Sequence, residues 1–238
     1  MRTSTPIYIL KRTAKRLARS ESIPWLNALN RVAQQEGFAS WSLLQARYRS
    51  DSTLSAHQLL SHLHPGNMML IASRPGFGKT LLSLKMLLTA VKNAGSGYFF
   101  SLDFTRPQTE AKLQSLDAAF ASYPNLHIDC SDEISSSYII QQTQHAPSGS
   151  FLVVDYLQLL DQKRTNPSLQ EQIHELQEHV HNRQHMIVFL SQIDRGFEES
   201  NESLPSLDHI RLPNPLDLQA FRSVFFLHEE KQKLVALS

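Results

Sequence analysis

Short apolar runs alternate with amphipathic segments along most of the chain, from residue 57 onward. Runs of about four to eight apolar residues are typical of strands buried on both faces, and apolar residues three and four apart are typical of helices. The runs predict strands near 68–72, 97–102, 125–129, 151–156, 186–191, 223–228 and 233–237. The amphipathic segments predict helices near 79–93, 106–122, 132–144 and 167–184. Because buried strands that alternate with helices form parallel sheets, we expect an α/β fold with a mostly parallel central sheet.

The first fifty residues follow a different pattern, with helical periodicity and no strand-like run. A first helix has an apolar face around Ala14 and a basic face opposite it. The cations on the basic face are Lys11, Arg12, Lys15, Arg16 and Arg19. Pro24 and Gly37 are typical of the start and the end of a second helix, and a third begins near Ser40. The expected domains are a basic three-helix subdomain over residues 1–50, a linker over 51–56 and the α/β domain over 57–238.

Composition excludes several protein classes. The 238 residues are 41% hydrophobic, which is normal for a soluble globular protein and excludes disordered and collagen-like chains. No run of about eighteen apolar residues is present, and the first residues do not resemble a signal peptide. We therefore expect a cytoplasmic protein with no membrane segment.

Charge is distributed unevenly along the chain. Residues 1–50 carry nine Lys or Arg and two acidic residues, a net charge of +7, whereas residues 51–238 have a net charge of −6. A dense stripe of cations is typical of contact with nucleic acid phosphates. The alternative is that these side chains only keep a surface helix soluble, and the sequence leaves both interpretations open.

A glycine-rich loop separates the first predicted strand of the α/β domain from its first helix. The loop consists of Ser73, Arg74, Pro75, Gly76, Phe77, Gly78, Lys79 and Thr80. Free backbone N–H groups at a helix N-terminus bind anions, and the two glycines allow a phosphate to approach the backbone closely. In such loops the lysine reaches the β- and γ-phosphates and the threonine hydroxyl binds Mg²⁺. The usual pattern starts with glycine where this chain has Ser73. The loop predicts a nucleoside triphosphate, and the alternative is an ordinary strand-to-helix turn.

Asp155 follows four apolar residues and ends another predicted buried strand. Parallel strands deliver their C-terminal residues to the same edge of a sheet, so we expect Asp155 to lie near the glycine-rich loop. A carboxylate at this place, the Walker B position, holds the Mg²⁺ that accompanies the nucleotide. Thr80 and Asp155 are therefore the predicted metal ligands.

Five segments, taken together in order and spacing, resemble the ATPase domain of the hexameric replicative DNA helicases of the DnaB type. These segments are His64-Pro-Gly66, Ala72-Ser-Arg-Pro-Gly-Phe-Gly-Lys-Thr80, Ser101-Leu-Asp103, Val154-Asp-Tyr-Leu-Gln-Leu159 and Ser191-Gln-Ile-Asp-Arg195. The resemblance covers about residues 57–238. It implies a RecA-like P-loop NTPase fold, ATP with Mg²⁺, a homo-oligomeric ring or filament, and single-stranded DNA as the track.

The resemblance also implies roles for individual residues. Lys79, Asp103, Asp155 and Gln192 are the candidate catalytic residues, with Gln192 as a sensor that couples the γ-phosphate to the loop after it. Within that loop Arg195 and Arg211 are candidates for contact with DNA phosphates. The loop also contains Glu198, Glu199 and Glu202, which disfavour tight binding to a polyanion.

This chain departs from the family pattern at two functional positions. Asp103 stands where the family has glutamate as the base that orients the attacking water, and its side chain is one methylene shorter. A misplacement of about 1 Å can cost on the order of a hundredfold in rate. The family also completes a neighbouring subunit's site with a Lys-Gln-Arg element, where this chain has Lys231-Gln-Lys233. Lysine lacks the bidentate fork of arginine, and an exposed hairpin tip is the alternative interpretation of Lys231 and Lys233.

Two hypotheses for the function remain open. The first is an ATPase that acts on DNA as a helicase or translocase. The second is an ATP-gated accessory or loader protein of a replication machine, with slow or no hydrolysis. The basic subdomain is too short to be the large domain through which such helicases meet primase, but it could contact another replication protein. A small-molecule kinase is disfavoured, because the segments around Asp155 and Gln192 have no evident role in one.

Overall fold

The computed structural model of the chain describes residues 7–44, 54–93, 95–161, 163, 166–200, 202–212, 214–229 and 231–237. Two compact units make up the chain, Met1–Leu54 and Ser55–Ser238, which we name the head and the body. The rest of the third predicted helix, residues 45–50, and residues 51–53 of the predicted linker lie outside the described residues. No helix within the described ranges is long and apolar enough to cross a membrane.

The head is built from helices. They are α1 (Ile7–Ser20), α2 (Trp25–Gln35) and a further helical turn at residues 41–44. Their apolar faces form a small core of Leu10, Ala14, Ala28, Leu29, Val32, Ala33, Trp41 and Leu44. The amide side chain of Asn30 on α2 accepts a hydrogen bond from the backbone N–H of Trp41 at 2.9 Å, which fixes the third helical segment to the second.

The body alternates strands and helices. Its strands are β1 (Met68–Ser73), β2 (Gly97–Ser101), β3 (Leu126–Asp129), β4 (Phe151–Asp155), β5 (Met186–Gln192), β6 (Ser223–His228) and β7 (Lys231–Ala236). Its helices are α3 (Ala56–Ser61), α4 (Lys79–Lys92), α5 (Arg106–Leu116), α6 (Ser136–Thr143) and α7 (Leu169–Arg183). Three of these helices begin with a capping box, in which Ser55, Thr105 or Ser168 exchanges hydrogen bonds with the third helical residue.

One seven-stranded sheet forms the centre of the body, in the order β3-β2-β4-β5-β1-β6-β7. All neighbouring pairs are parallel except β6 and β7, which form an antiparallel hairpin. The predicted fold class is thereby confirmed. Ser73 at the end of β1 pairs with Gln192 at the end of β5, and Ser101 pairs with Asp155 at the ends of β2 and β4. The segments that were predicted to bind nucleotide therefore leave the sheet at one edge.

The predicted helix over 106–122 is shorter in the structure. Helix α5 ends at Leu116, and a 3₁₀ turn follows at Phe120–Ser122. Asp117 causes the break, because its carboxylate pairs with Lys92 at 2.7 Å and accepts a hydrogen bond from the hydroxyl of Tyr123 at 2.8 Å. These contacts hold Asp117 in an extended conformation with φ of −153°. A helical pattern in the sequence does not reveal such an anchor.

Candidate functional site

The glycine-rich loop lies between β1 and α4 with its backbone open to a ligand. Gly76 and Gly78 have φ of +85° and +88°, a region that favours glycine. A Cβ atom added at either position would meet nothing within 4 Å, so the space over the loop is free of protein atoms. Helix α4 has no side-chain cap and no acidic residue in its first turn. Its first N–H groups are therefore arranged to bind an anion.

Lys79 is the first residue of α4 and is only 9% exposed. Burial lowers the pKa of its ammonium group, and the charges of Asp155 and Asp103 oppose that decrease. Desolvation is the largest of these effects, so the buried ammonium group gains from each further close acceptor. Phosphate oxygens would supply the negative charge that this arrangement favours.

Thr80 and Asp155, the two predicted metal ligands, are joined directly. The hydroxyl of Thr80 donates a hydrogen bond to Oδ2 of Asp155 at 2.9 Å. Asp155 is 1% exposed, and its Oδ1 has no hydrogen-bond partner among the described residues. Burial raises the pKa of this carboxyl to about 6, against the opposing effects of Thr80 and Lys79.

A divalent cation fits this pair. A buried carboxylate oxygen without a donor is rare in folded proteins and is satisfied by a cation with oxygen ligands. The described residues contain no group of three or more His, Cys, Asp and Glu side chains that could hold a metal ion. A cation at Asp155 would therefore be of the kind that proteins bind through one carboxylate together with phosphates, as is usual for Mg²⁺.

Asp103 lies just beyond β2 and faces the same space, because its charge acts on both Lys79 and Asp155. The hydroxyl of Ser101 accepts hydrogen bonds from the N–H groups of Asp103 at 3.3 Å and Phe104 at 3.1 Å, which turns the backbone there. The Asp103 side chain itself is exposed and receives no hydrogen bond from a described residue. Its backbone is positioned, but its carboxylate is not held.

Gln192 ends β5, beside the glycine-rich loop, and is half-buried. The backbone N–H of Arg211 donates to the Gln192 carbonyl at 2.8 Å, and the Arg211 guanidinium lies 3.5 Å from the Gln192 side-chain oxygen. Arg195 is exposed and begins the 3₁₀ turn Arg195–Glu199, whose Phe197 is buried. Of the two arginines of this segment that are predicted to contact DNA, Arg211 is the one that lies against Gln192.

Sequence analysis did not anticipate the contacts between the glycine-rich loop and the segment after β5. The Arg74 guanidinium binds Glu198 through Nε at 2.8 Å and Nη2 at 2.7 Å, and it donates through Nη1 to the Ile193 carbonyl at 3.2 Å. The ring of His228 lies 4.9 Å from that of Phe77 and 4.9 Å from that of Phe197. The sequence shows only that the segment after β5 is acidic and that the glycine-rich loop contains Arg74. No local pattern connects the two segments.

Gln158 is a second contact residue without a predicted role. Its side-chain nitrogen donates to the Ser191 hydroxyl at 2.8 Å and also to the Arg211 carbonyl. Gln158 thus links the segment after Asp155 to the end of β5. It belongs to the Asp-Tyr-Leu-Gln-Leu segment that carried the family resemblance, so the motif itself was the available signal.

Lys231 and Lys233 are on the exposed strand β7, opposite His228 and Phe226 of β6, and form no ion pair with a described residue. The basic residues of the head are exposed along α1. They are Lys11, Arg12, Lys15, Arg16 and Arg19.

Comparison with known proteins gives a consistent result. A family profile described as the DnaB-like helicase C-terminal domain matches residues 109–235, which include Asp155 and Gln192 but not the glycine-rich loop. The replicative DNA helicase DnaB of Leifsonia xyli subsp. xyli is 26% identical over 205 residues, 73% of this chain and 45% of that protein. DnaB of Mycoplasma genitalium is 25% identical over 217 residues, 75% of this chain and 46% of that protein. The chain spans a little under half of the length of these relatives.

Two solved structures share the fold. One is described as an ATPase domain, and the match covers 68% of this chain and 69% of that one, with a TM-score of 0.55 and 24% identity. The other is a DnaB-like replicative helicase whose interactions with primase were described. Its match covers 93% of this chain and 67% of that one, with a TM-score of 0.60 and 19% identity. At this identity the likeness establishes the fold alone.

Proposed function

Because this chain belongs to the family of DnaB-like helicase C-terminal domains, we propose that it binds ATP with Mg²⁺ and hydrolyses it to act on DNA. The match to this family profile confirms the resemblance that the sequence motifs indicate. The observation that carries the proposal is the contact of Thr80 with Asp155, whose second carboxylate oxygen is buried and lacks a partner among the described residues. Thr80 and Asp155 would hold the Mg²⁺. The ion, when bound, neutralises charge on the phosphates and orients them.

Each part of the site has a separate proposed role. The backbone of the glycine-rich loop and the first turn of α4 would bind the phosphates, and Lys79 would contact their outer oxygens. Asp103 would orient the attacking water, since its charge faces the same space as Lys79 and Asp155. Gln192 would report the state of the nucleotide to the segment that contains Arg211.

We further propose that the site is completed by a second copy of the chain, in a ring or filament. Lys231 and Lys233 are exposed and form no ion pair with a described residue, so they are free to face a neighbouring subunit. Single-stranded DNA is the proposed track, with Arg195 and Arg211 near it. A replication protein is a proposed partner of the head.

The alternative is an ATP-gated accessory or loader protein with slow or no hydrolysis. Asp103 favours it, because its carboxylate is shorter than a glutamate and no described residue holds it. Both functions require nucleotide binding by the same residues. They differ only in the rate of hydrolysis and in its response to DNA.

The test is the rate of ATP hydrolysis with and without single-stranded DNA, measured for the parent chain, Asp103→Ala and Asp103→Glu. We expect slow hydrolysis that DNA stimulates, a loss of about tenfold or more in the alanine variant, and a gain in the glutamate variant because the carboxylate reaches further. Glu178→Gln, at an exposed position on α7, is the matched control and should leave the rate unchanged. No turnover in any variant, with nucleotide binding intact, would establish the accessory function instead.

A further inference from the structure

Four of the cations on the basic face of α1 have no acidic partner within the described part of the chain. Arg12, Lys15, Arg16 and Arg19 are exposed and form no ion pair with a described side chain. Glu21, which follows α1, is already paired with Arg31 of α2. Four neighbouring cations without a counter-charge repel one another, so a polyanion would be favoured along this face.

Trp25, the first residue of α2, is unusually exposed. It shares a helical face of α2 with Ala28, Leu29 and Val32, which are buried against α1, yet 47% of Trp25 is exposed. The other tryptophan of the head, Trp41, is 6% exposed. Half of a large aromatic surface is therefore left uncovered where the packing of α2 on α1 ends.

The short connection between the helices brings Trp25 near the last turn of α1. Only residues 21–24 separate the end of α1 from the start of α2, and the two helices pack on one core. The first turn of α2 must therefore lie next to the last turn of α1, which carries Arg19, with Arg16 one turn before it. We propose that the head binds single-stranded DNA, with α1 cations on the phosphates and Trp25 stacked on a base.

Single strands fit this surface better than the other polyanions. Bases of a single strand are free to stack on an exposed aromatic ring, whereas those of a duplex are not. An anionic membrane requires an amphipathic helix whose apolar face can enter the bilayer. The apolar face of α1, with Leu10, Ala14 and Leu17, is instead packed in the core of the head. The choice of DNA over RNA rests on the proposed function, since stacking and charge do not distinguish them.

Tryptophan fluorescence of the full chain, titrated with an oligothymidylate in the absence of nucleotide, tests the stacking contact. We expect quenching in the parent chain and none in Trp25→Phe, because Trp41 is buried. By anisotropy of a labelled oligonucleotide, Trp25→Phe should bind nearly as well as the parent and Trp25→Ala roughly tenfold more weakly. Leu43→Ala, an exposed apolar position of the head, is the matched control and should bind as the parent does.

Salt dependence tests the phosphate contacts. The double change Arg16→Gln and Arg19→Gln should reduce the slope of log K against log salt by about 1.4, since each phosphate contact on a single strand contributes about 0.7. Lys85→Gln, an exposed cation on α4 of the body, should leave the slope unchanged. Circular dichroism of each variant verifies that the head remains helical.

Four results would overturn the proposal. They are an unchanged affinity in folded Trp25→Ala, an unchanged salt slope in the arginine variant, a preference of more than about tenfold for the matching RNA, and a response to phosphatidylglycerol vesicles without a response to oligonucleotide. Affinity for ATP with Mg²⁺ is measured on the same preparations of the head variants and should match that of the parent. A failure of the head and a failure of the nucleotide site are thereby separated.

Discussion

Two sides of the nucleotide site differ in how firmly the chain holds them. On one side Lys79, Thr80 and Asp155 are buried or half-buried, and Thr80 bonds Asp155 directly. On the other side Asp103 and the two lysines of β7 are exposed and make no ion pair with a described residue. Groups that are fixed before a ligand arrives bind it without a further ordering cost, and groups that are not fixed must be ordered by something else.

We therefore propose that one copy of the chain is organised to hold a nucleotide but not to hydrolyse it quickly. Burial of a lysine and a carboxylate costs free energy, and a bound phosphate and cation would offset the part that Thr80 and the neighbouring charges leave. Exposed lysines on a hairpin cost little and act only where a neighbour brings a phosphate to them. Under our proposal, binding would belong to one subunit and efficient turnover would require the assembly.

The largest expected effect is that of Lys79→Ala. Removal of a buried cation that would contact the phosphates should reduce ATP affinity at least about a hundredfold, as measured by calorimetry. Lys85→Ala removes an exposed cation from the same helix and should bind ATP as the parent does. Equal ATP affinities for the two variants would mean that the buried Lys79 matters no more for binding than the exposed Lys85.

Asp155→Asn should have the next largest effect. The amide can still accept the Thr80 hydrogen bond but offers a cation no charge, so the Mg²⁺-dependent part of ATP affinity should fall roughly tenfold to a hundredfold. Calorimetry with Mg²⁺ and with chelator separates this part. A variant that lost affinity equally under both conditions would contradict the role of Asp155 at the cation.

The same variant tests the pKa of Asp155. Because burial raises that pKa to about 6 from an ordinary 3.8, the carboxyl contributes stability that is present below pH 3.8 and is lost as pH rises through 6. Between these values the unfolding free energy of the parent, relative to Asp155→Asn, should fall by up to about 1.4 kcal/mol per pH unit. Urea denaturation at several pH values measures it, and the exposed Asp132→Asn should show no such difference.

Lys231→Ala with Lys233→Ala should have a smaller effect, confined to turnover. We expect hydrolysis to drop about tenfold while ATP affinity stays the same, since the lysines would act on a neighbour's nucleotide. Mixing this variant with Lys79→Ala should restore part of the activity, because one copy supplies the loop and the other the lysines. A mixture no more active than its components would place the lysines outside the site.

The smallest effect belongs to Glu198→Gln. The Arg74 side chain is largely buried but that of Glu198 is 58% exposed, and half-exposed ion pairs contribute about 1 kcal/mol or less. Urea denaturation should show a loss within that range, and Glu202→Gln should show none. A loss above about 3 kcal/mol, well beyond the range of exposed pairs, would mean that the contact with Glu198 is as important to the loop as its buried residues are.

The sequence predicted the parts of this structure that depend on local patterns. All seven strands lie where apolar runs placed them, and the Thr80 to Asp155 contact follows from two strands that end at one edge. The break after Leu116 and the ion pair of Arg74 with Glu198 were not predictable, because their partners are distant in sequence. Glu198 was even interpreted as a charge unfavourable to DNA, when its partner is Arg74 of the glycine-rich loop.

The central claim is that one copy of this chain is built to hold ATP with Mg²⁺ at Lys79, Thr80 and Asp155. The most direct measurement is the melting temperature of the chain with ATP and Mg²⁺, with ATP and chelator, and with neither. At about a hundred times the dissociation constant a ligand adds about 2.7 kcal/mol of stability, which raises the melting temperature by several degrees. We predict that rise with ATP and Mg²⁺, a smaller rise with chelator, and none in Lys79→Ala. A melting temperature that saturating ATP and Mg²⁺ leave unchanged would contradict the account.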